Sequence, residues 1–125
     1  MKTKLAILVW SLSPQEPALA AAPFLYATMA GALDCEVEVH FAGSAVTLLV
    51  PGVAAGMYPS PNRERSIYEF MRDAAQVGAA FYGCQMALRV HGLVDRPLIP
   101  EYSGATGAMT FVTRTLDVEW STLVF

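Results

Sequence analysis

Cys84 stands where the sequence offers the most chemistry. In Ala79-Ala80-Phe81-Tyr82-Gly83-Cys84-Gln85-Met86-Ala87-Leu88-Arg89-Val90-His91-Gly92 a short apolar run ends at a glycine and a cysteine follows at once. Apolar residues at Met86, Ala87, Val90 and Leu93 then recur at helical spacing, so the pattern predicts a strand that passes into a helix at Cys84. A sulfur at that junction lies near unpaired backbone N–H groups and the positive end of the helix dipole, which favour thiolate over thiol. Such a thiolate can accept a sulfane sulfur and present it to the cysteine of a partner. Free cysteine is equally common as a small buried hydrophobe, so position alone leaves a packing role open.

The loops expected at the same sheet end hold Ser11 and Ser13 after the first strand, and Gly43 and Ser44 after the second. With Gly83 and Gln85 beside the cysteine, these backbones are candidates for a cradle that holds a persulfide or small anion. Each serine alone also fits ordinary turn chemistry. The stretch 51–65, with Tyr58, Arg63 and Arg65, is long enough for a lid over Cys84, although a solvated loop fits it as well. Cys35 opens its strand at the amino end of the sheet, about 20 Å of extended chain from Phe41, which puts it beyond disulfide reach of Cys84. His40 falls on the polar side of its strand and His91 near the end of the Cys84 helix, and neither suggests a site. No His, Cys or carboxylate cluster has metal-ligand spacing, and no glycine-rich phosphate motif follows the first strand. Neither a metal nor a nucleotide cofactor is expected.

The elements that must position Cys84 follow from hydrophobic periodicity. Lys4 to Trp10 is a continuous apolar run, as in a strand buried on both faces of a parallel sheet. Ser13-Pro14-Gln15-Glu16 has capping-box spacing and predicts a helix to about Ala32, bent at Pro23. Cys35 to Phe41 alternates, with Cys35, Val37, Val39 and Phe41 on one face and Glu36, Glu38 and His40 on a wet one, which suggests a strand near an edge or a polar subunit contact. Ala45 to Val50 reads as a short apolar helix or turn that stops at Pro51. A second capping box at Ser66-Ile67-Tyr68-Glu69 opens a helix that ends at Gly78. After the Cys84 helix, 95–100 allows a short strand or turn, a last helix is predicted from about Gly104 to Leu116, and Val118 to Phe125 closes the sheet. Alternation of strand and helix over residues 1–125 predicts one α/β domain with a mostly parallel sheet of about five strands between helix layers.

Composition narrows the function classes. The chain has 125 residues, 54% hydrophobic and 15% charged, which is apolar for its size and suggests that copies of the chain cover part of the surface. A net charge of −3 and eight scattered Lys and Arg residues argue against nucleic acid. Two cysteines make no disulfide framework, as expected of a cytoplasmic chain. Lys2, Lys4 and the run Leu5 to Trp10 imitate a signal peptide, but the run is short, and Pro14 to Pro17 interrupts it. The uncharged stretches 17–33 and 41–62 are broken by Pro or Gly, so no membrane span is expected.

The order of these features resembles the DsrE/DsrF-like family of small sulfur-relay proteins. The resemblance rests on the opening strand with its Ser/Pro/acidic turn, Val39-His40-Phe41-Ala42-Gly43, and Phe81-Tyr82-Gly83-Cys84 with Met86-Ala87. It extends to Gly107-Ala108-Met109-Thr110-Phe111 and Thr122-Leu123-Val124-Phe125. It implies a flavodoxin-like α/β sandwich, assembly into trimers or hexamers, and a persulfide carried at Cys84 and passed to a partner protein. The alternative is an oligomeric binding or scaffold subunit of the same fold, in which Cys84 packs or senses thiol state.

Overall fold

The computed structural model describes residues 3–125, so Lys2 of the signal-like opening lies outside the described residues. Five strands, β1 (Lys4–Val9), β2 (Glu36–Phe41), β3 (Ala80–Cys84), β4 (Tyr102–Thr106) and β5 (Trp120–Val124), form one sheet in the order β4-β3-β2-β1-β5. Every pairing is parallel. The helices are α1 (Ala21–Ala32), α2 (Ile67–Gln76), α3 (Gln85–Val90) and α4 (Ala108–Leu116).

The strand order dictates where the helices go. From β1 to β4 the chain steps one way across the sheet, and from β4 it returns over three strands to the far side of β1. Right-handed crossovers put the first group of connections on one face and the returning α4 on the other. On the first face Ile7, Val9, Val39, Phe41 and Phe81 pack against Phe24 of α1, Met71 of α2 and the 3-10 segment Gly43–Leu49. Three phenylalanine rings anchor this core, with centroids 5.8 Å (Phe24–Phe41), 6.0 Å (Phe24–Phe81) and 5.4 Å (Phe41–Phe81) apart. The second face is thinly covered: Phe111 of α4 and Trp120 pack on Ala6, with Leu8 beside them.

The second capping box forms as its spacing demands. Glu69 N–H donates to Ser66 Oγ at 3.2 Å, and Ser66 N–H donates to Glu69 Oε2 at 2.9 Å. The first does not form. Ser13 to Glu16 is a turn closed by Glu16 N–H donating to the Ser13 carbonyl, a 3-10 turn spans Pro17–Leu19, and α1 starts only at Ala21. Pro23 therefore sits in the first turn of α1, where its missing N–H would have had no intrahelical acceptor and no bend is needed.

Two further expectations are corrected. The fourth strand is Tyr102–Thr106, beyond the 95–100 stretch and overlapping the start of the span read as the last helix. Gly104 takes φ +148 beside a register irregularity between β3 and β4, so the helix begins only after Gly107. The strand β2 lies between β1 and β3 rather than near an edge, and Glu38 and His40 are buried while Glu36 is exposed. The face read as wet is roofed by α4. Among the described residues no helix is long and apolar enough to cross a membrane.

Candidate functional site

Cys84 ends β3 and is the residue immediately before α3, with extended backbone at φ −67 and ψ 125. Its side chain makes no capping hydrogen bond to α3, a helix of six residues. Strand alternation explains this. A Cβ on Gly83 would point at Leu88 and Leu49, on the face where α3 packs, so Tyr82 and Cys84 turn to the opposite face under α4.

There Cys84 lines a cavity of about 190 Å³ whose wall includes His40, Thr106, Gly107, Ala108 and Phe111. The helix start facing Cys84 is thus that of α4. Gly107, its capping position, has no side chain to satisfy the first turn. Thr106 stands directly opposite Cys84 in the β3–β4 register.

A buried polar network forms the floor. Glu38 accepts from Arg114 at both oxygens, Nε to Oε1 at 3.0 Å and Nη2 to Oε2 at 3.0 Å, and its Oε1 lies 2.9 Å from His40 Nε2. Burial pushes the Glu38 carboxyl up, but hydrogen bonds from Arg114 and His40 outweigh it and hold the group below its ordinary value. His40 is also held below its ordinary value, by burial acting against the pull of Glu38. Its ring stacks on Tyr82 at 5.4 Å and meets the edge of Phe111 at 5.7 Å.

Of the residues predicted for the site, Cys84 alone lines this cavity. Ser44 Oγ donates to the Leu12 carbonyl at 2.9 Å and ties two loops together. Gly43 holds φ +53, where a Cβ would lie 3.0 Å from the Trp10 carbonyl oxygen. Ser13 is half-buried and its carbonyl closes the turn to Glu16. Gly83 keeps the opposite face clear for Leu88, and Gln85 is exposed on a separate, larger hollow of about 580 Å³ with Leu88, Arg89 and Tyr102. No residue of 51–65 lines the Cys84 cavity. Tyr58 and its neighbours instead border a hollow with Gln15 to Leu19, so the lid expected over Cys84 belongs to a different part of the surface. Cys35 packs against the main core, in keeping with a structural role. Among the described residues no group of His, Cys, Asp and Glu has the arrangement of a metal site.

Sequence reasoning missed Glu38, His40, Thr106, Phe111 and Arg114. A signal was present in Glu38-Val39-His40, which sets a carboxylate and an imidazole on one side of an apolar strand.

The fold has close counterparts. The ychN protein from E. coli superposes with a TM-score of 0.69 at 16% identity, covering 100% of both chains. A protein of unknown function from Methanobacterium thermoautotrophicum gives 0.67 at 14% identity, covering 98% of each chain. A conserved protein of unknown function from Bacteroides thetaiotaomicron gives 0.63 at 15% identity, covering 98% of this chain and 95% of its own. No curated protein matches the sequence. The sequence profile of the DsrE/DsrF-like family matches residues 4–124, nearly the whole length, and the chain belongs to that family.

Proposed function

We propose that this protein is a small sulfur carrier in which Cys84 takes up sulfane sulfur as a persulfide and passes it to a partner protein. The observation that carries the reading is that Cys84 lines a small cavity at the carboxyl end of β3 together with Gly107 and Ala108 of the uncapped start of α4. A helix start accommodates a negatively charged sulfur, and the carboxyl ends of parallel strands are where open α/β sheets keep their ligands. The surrounding wall, with Phe111 and Leu8, limits water around a group that hydrolysis or oxidation would consume.

Incubation of native protein with inorganic polysulfide, followed by intact-mass measurement, tests it. Wild type and Cys35→Ser should gain the mass of one or more sulfur atoms, and Cys84→Ser should gain none. Loading on Cys35, or loading of Cys84 only after denaturation, refutes the carrier reading.

A specific observation also favours self-association as part of this function. Met109, Val112 and Leu116 of α4, three and four residues apart on one side of the helix, are 80%, 50% and 80% exposed. An apolar stripe of this kind on a 13.5 kDa chain fits coverage by further copies in a trimer or hexamer. Light scattering should give a multiple of the chain mass; a clean monomer at micromolar concentration overturns it. If Cys84 proves inert while the assembly holds, the scaffold reading of the same fold takes its place.

A further inference from the structure

His40 carries a group whose purpose the packing does not explain. Its side chain is 5% exposed, and Nε2 is turned to Glu38, yet Nδ1 is buried with no hydrogen-bond partner. The carboxylate of Glu38 only accepts, so the ring proton sits on Nε2 and Nδ1 presents a bare lone pair. Burial makes such an acceptor costly to leave unmet, so it points to a donor that the resting structure does not hold against it.

The sheet register identifies that donor. His40 pairs with Tyr82, and Cys84 is the next residue along β3 on the same face. One strand spacing across and two residues along place the two backbones about 8 Å apart. Both residues line the same cavity, and because Nε2 is taken by Glu38, Nδ1 is the ring nitrogen left to accept a proton. Thr106 also lines the cavity, but it stands one strand further from β2.

We propose that His40 is the base of the Cys84 site, with Glu38 and Arg114 as the residues that position it. Nδ1 takes the thiol proton of Cys84, directly or through one bridging water, and the thiolate attacks the outer sulfur of a hydropersulfide donor. A sulfur–sulfur bond forms at Cys84 as the donor's own sulfur–sulfur bond breaks, and the electron pair of that bond leaves with the donor thiolate. The imidazolium returns its proton to that leaving group, so no external oxidant or reductant is consumed. Glu38, already held by Arg114, keeps the tautomer fixed and faces the transient imidazolium. This role rests on the carrier reading of Cys84.

The test is the alkylation rate of Cys84 by iodoacetamide across pH in the Cys35→Ser background, with and without His40→Gln. The Gln amide keeps a donor for Glu38 and removes the base. The titratable and charged groups around the ring are Glu38 on β2, Tyr82 and Cys84 on β3, and Arg114 on α4. The variant should react on the order of 10²-fold more slowly near neutral pH and converge with wild type in strong base, where hydroxide removes the proton. Identical profiles, or a constant ratio at every pH, overturn the proposal. If His40→Gln does not fold, the ¹⁵N resonance of His40 Nδ1 decides: it should move in Cys84→Ala, and an unmoved resonance overturns the proposal. Polysulfide loading separates the two ideas. Equal loading rates in wild type and His40→Gln leave the carrier standing without this base. A His40-dependent alkylation profile in a protein that never loads sulfur leaves the base standing and removes the carrier.

Discussion

Replacing Arg114 with Met removes the group that makes a buried carboxylate tolerable on this sheet face. Glu38 accepts two charge-assisted hydrogen bonds from Arg114, both at 3.0 Å, and the Glu38 side chain is 9% exposed. Breaking a buried ion pair from one side costs about 3–5 kcal/mol, and because the Arg114 side chain is 27% exposed the lower end, about 3 kcal/mol, applies. For 125 residues at about 2.1 cal/mol/K per residue, that corresponds to a fall of about 11 °C in Tm by calorimetry. Arg114 also lies 4.4 Å from the Trp120 ring centroid, a contact worth about 0.5–1 kcal/mol, so a double-mutant cycle with Glu38→Gln is needed to isolate the pair. In the Glu38→Gln background Arg114→Met should cost only about 1 kcal/mol. The pH dependence carries the same logic. In wild type the depressed Glu38 contributes stability that is present above about pH 4.3 and is lost as pH falls through its lower native value. Without Arg114 burial favours the protonated carboxyl, so the gap between variant and wild type should narrow from pH 7 to pH 4. A Tm fall under about 3 °C, or an equal fall in both backgrounds, refutes this account of the face.

His40 is depressed in the native state, so the unfolded chain takes up its proton first, at about pH 6.5, and stability that is complete above that pH declines below it. Urea denaturation at pH 7.5 and 5.5 should show a smaller acid loss for His40→Gln than for wild type; equal losses contradict the assignment. Ser66→Ala should lower Tm by about 4 °C, for a cap worth about 1 kcal/mol, and a change under about 1 °C would mean the box is dispensable. Gly31→Ala should destabilise by about 1–3 kcal/mol in chemical denaturation. Its Cβ would fall 2.5 Å from Val77 Cγ2 and 3.0 Å from the Val77 carbonyl oxygen, and the better helix propensity of Ala, about 1 kcal/mol, does not offset that. A net gain in stability would show that α1 and the end of α2 have room to part.

The elements with strong periodicity were legible from the sequence, and the relations across the sheet were not. Lys4 to Val9, the Ser66 capping box and the break at Gly83-Cys84 each declare themselves within a few residues, because burial on both faces, cap chemistry and a change of period are local properties. The strand Tyr102–Thr106 was hidden because Gly104 and Ala105 fit a helix start as readily as an irregular edge strand. The burial of Glu38 and His40 depends on Arg114, 76 residues from Glu38, and no window along the chain reveals such a partner. Likewise the cysteine was found at the right junction, at the capping position of α3, but its neighbours under α4 were not, since only the parity of Gly83 against Leu88 shows which face Cys84 takes.

The roof of the cavity differs in kind from its floor. Phe111 is the only residue of α4 that is buried, and beyond it the helix is fastened by Arg114 to Glu38. The main core on the other face does not depend on either contact. In the language of cooperative units, α4 is a foldon of its own, whose amides should exchange through an opening far less costly than global unfolding. The opening of the cavity beside the half-buried Cys84 is then tuned by the breathing of one nine-residue helix, through the two side chains that hold it down.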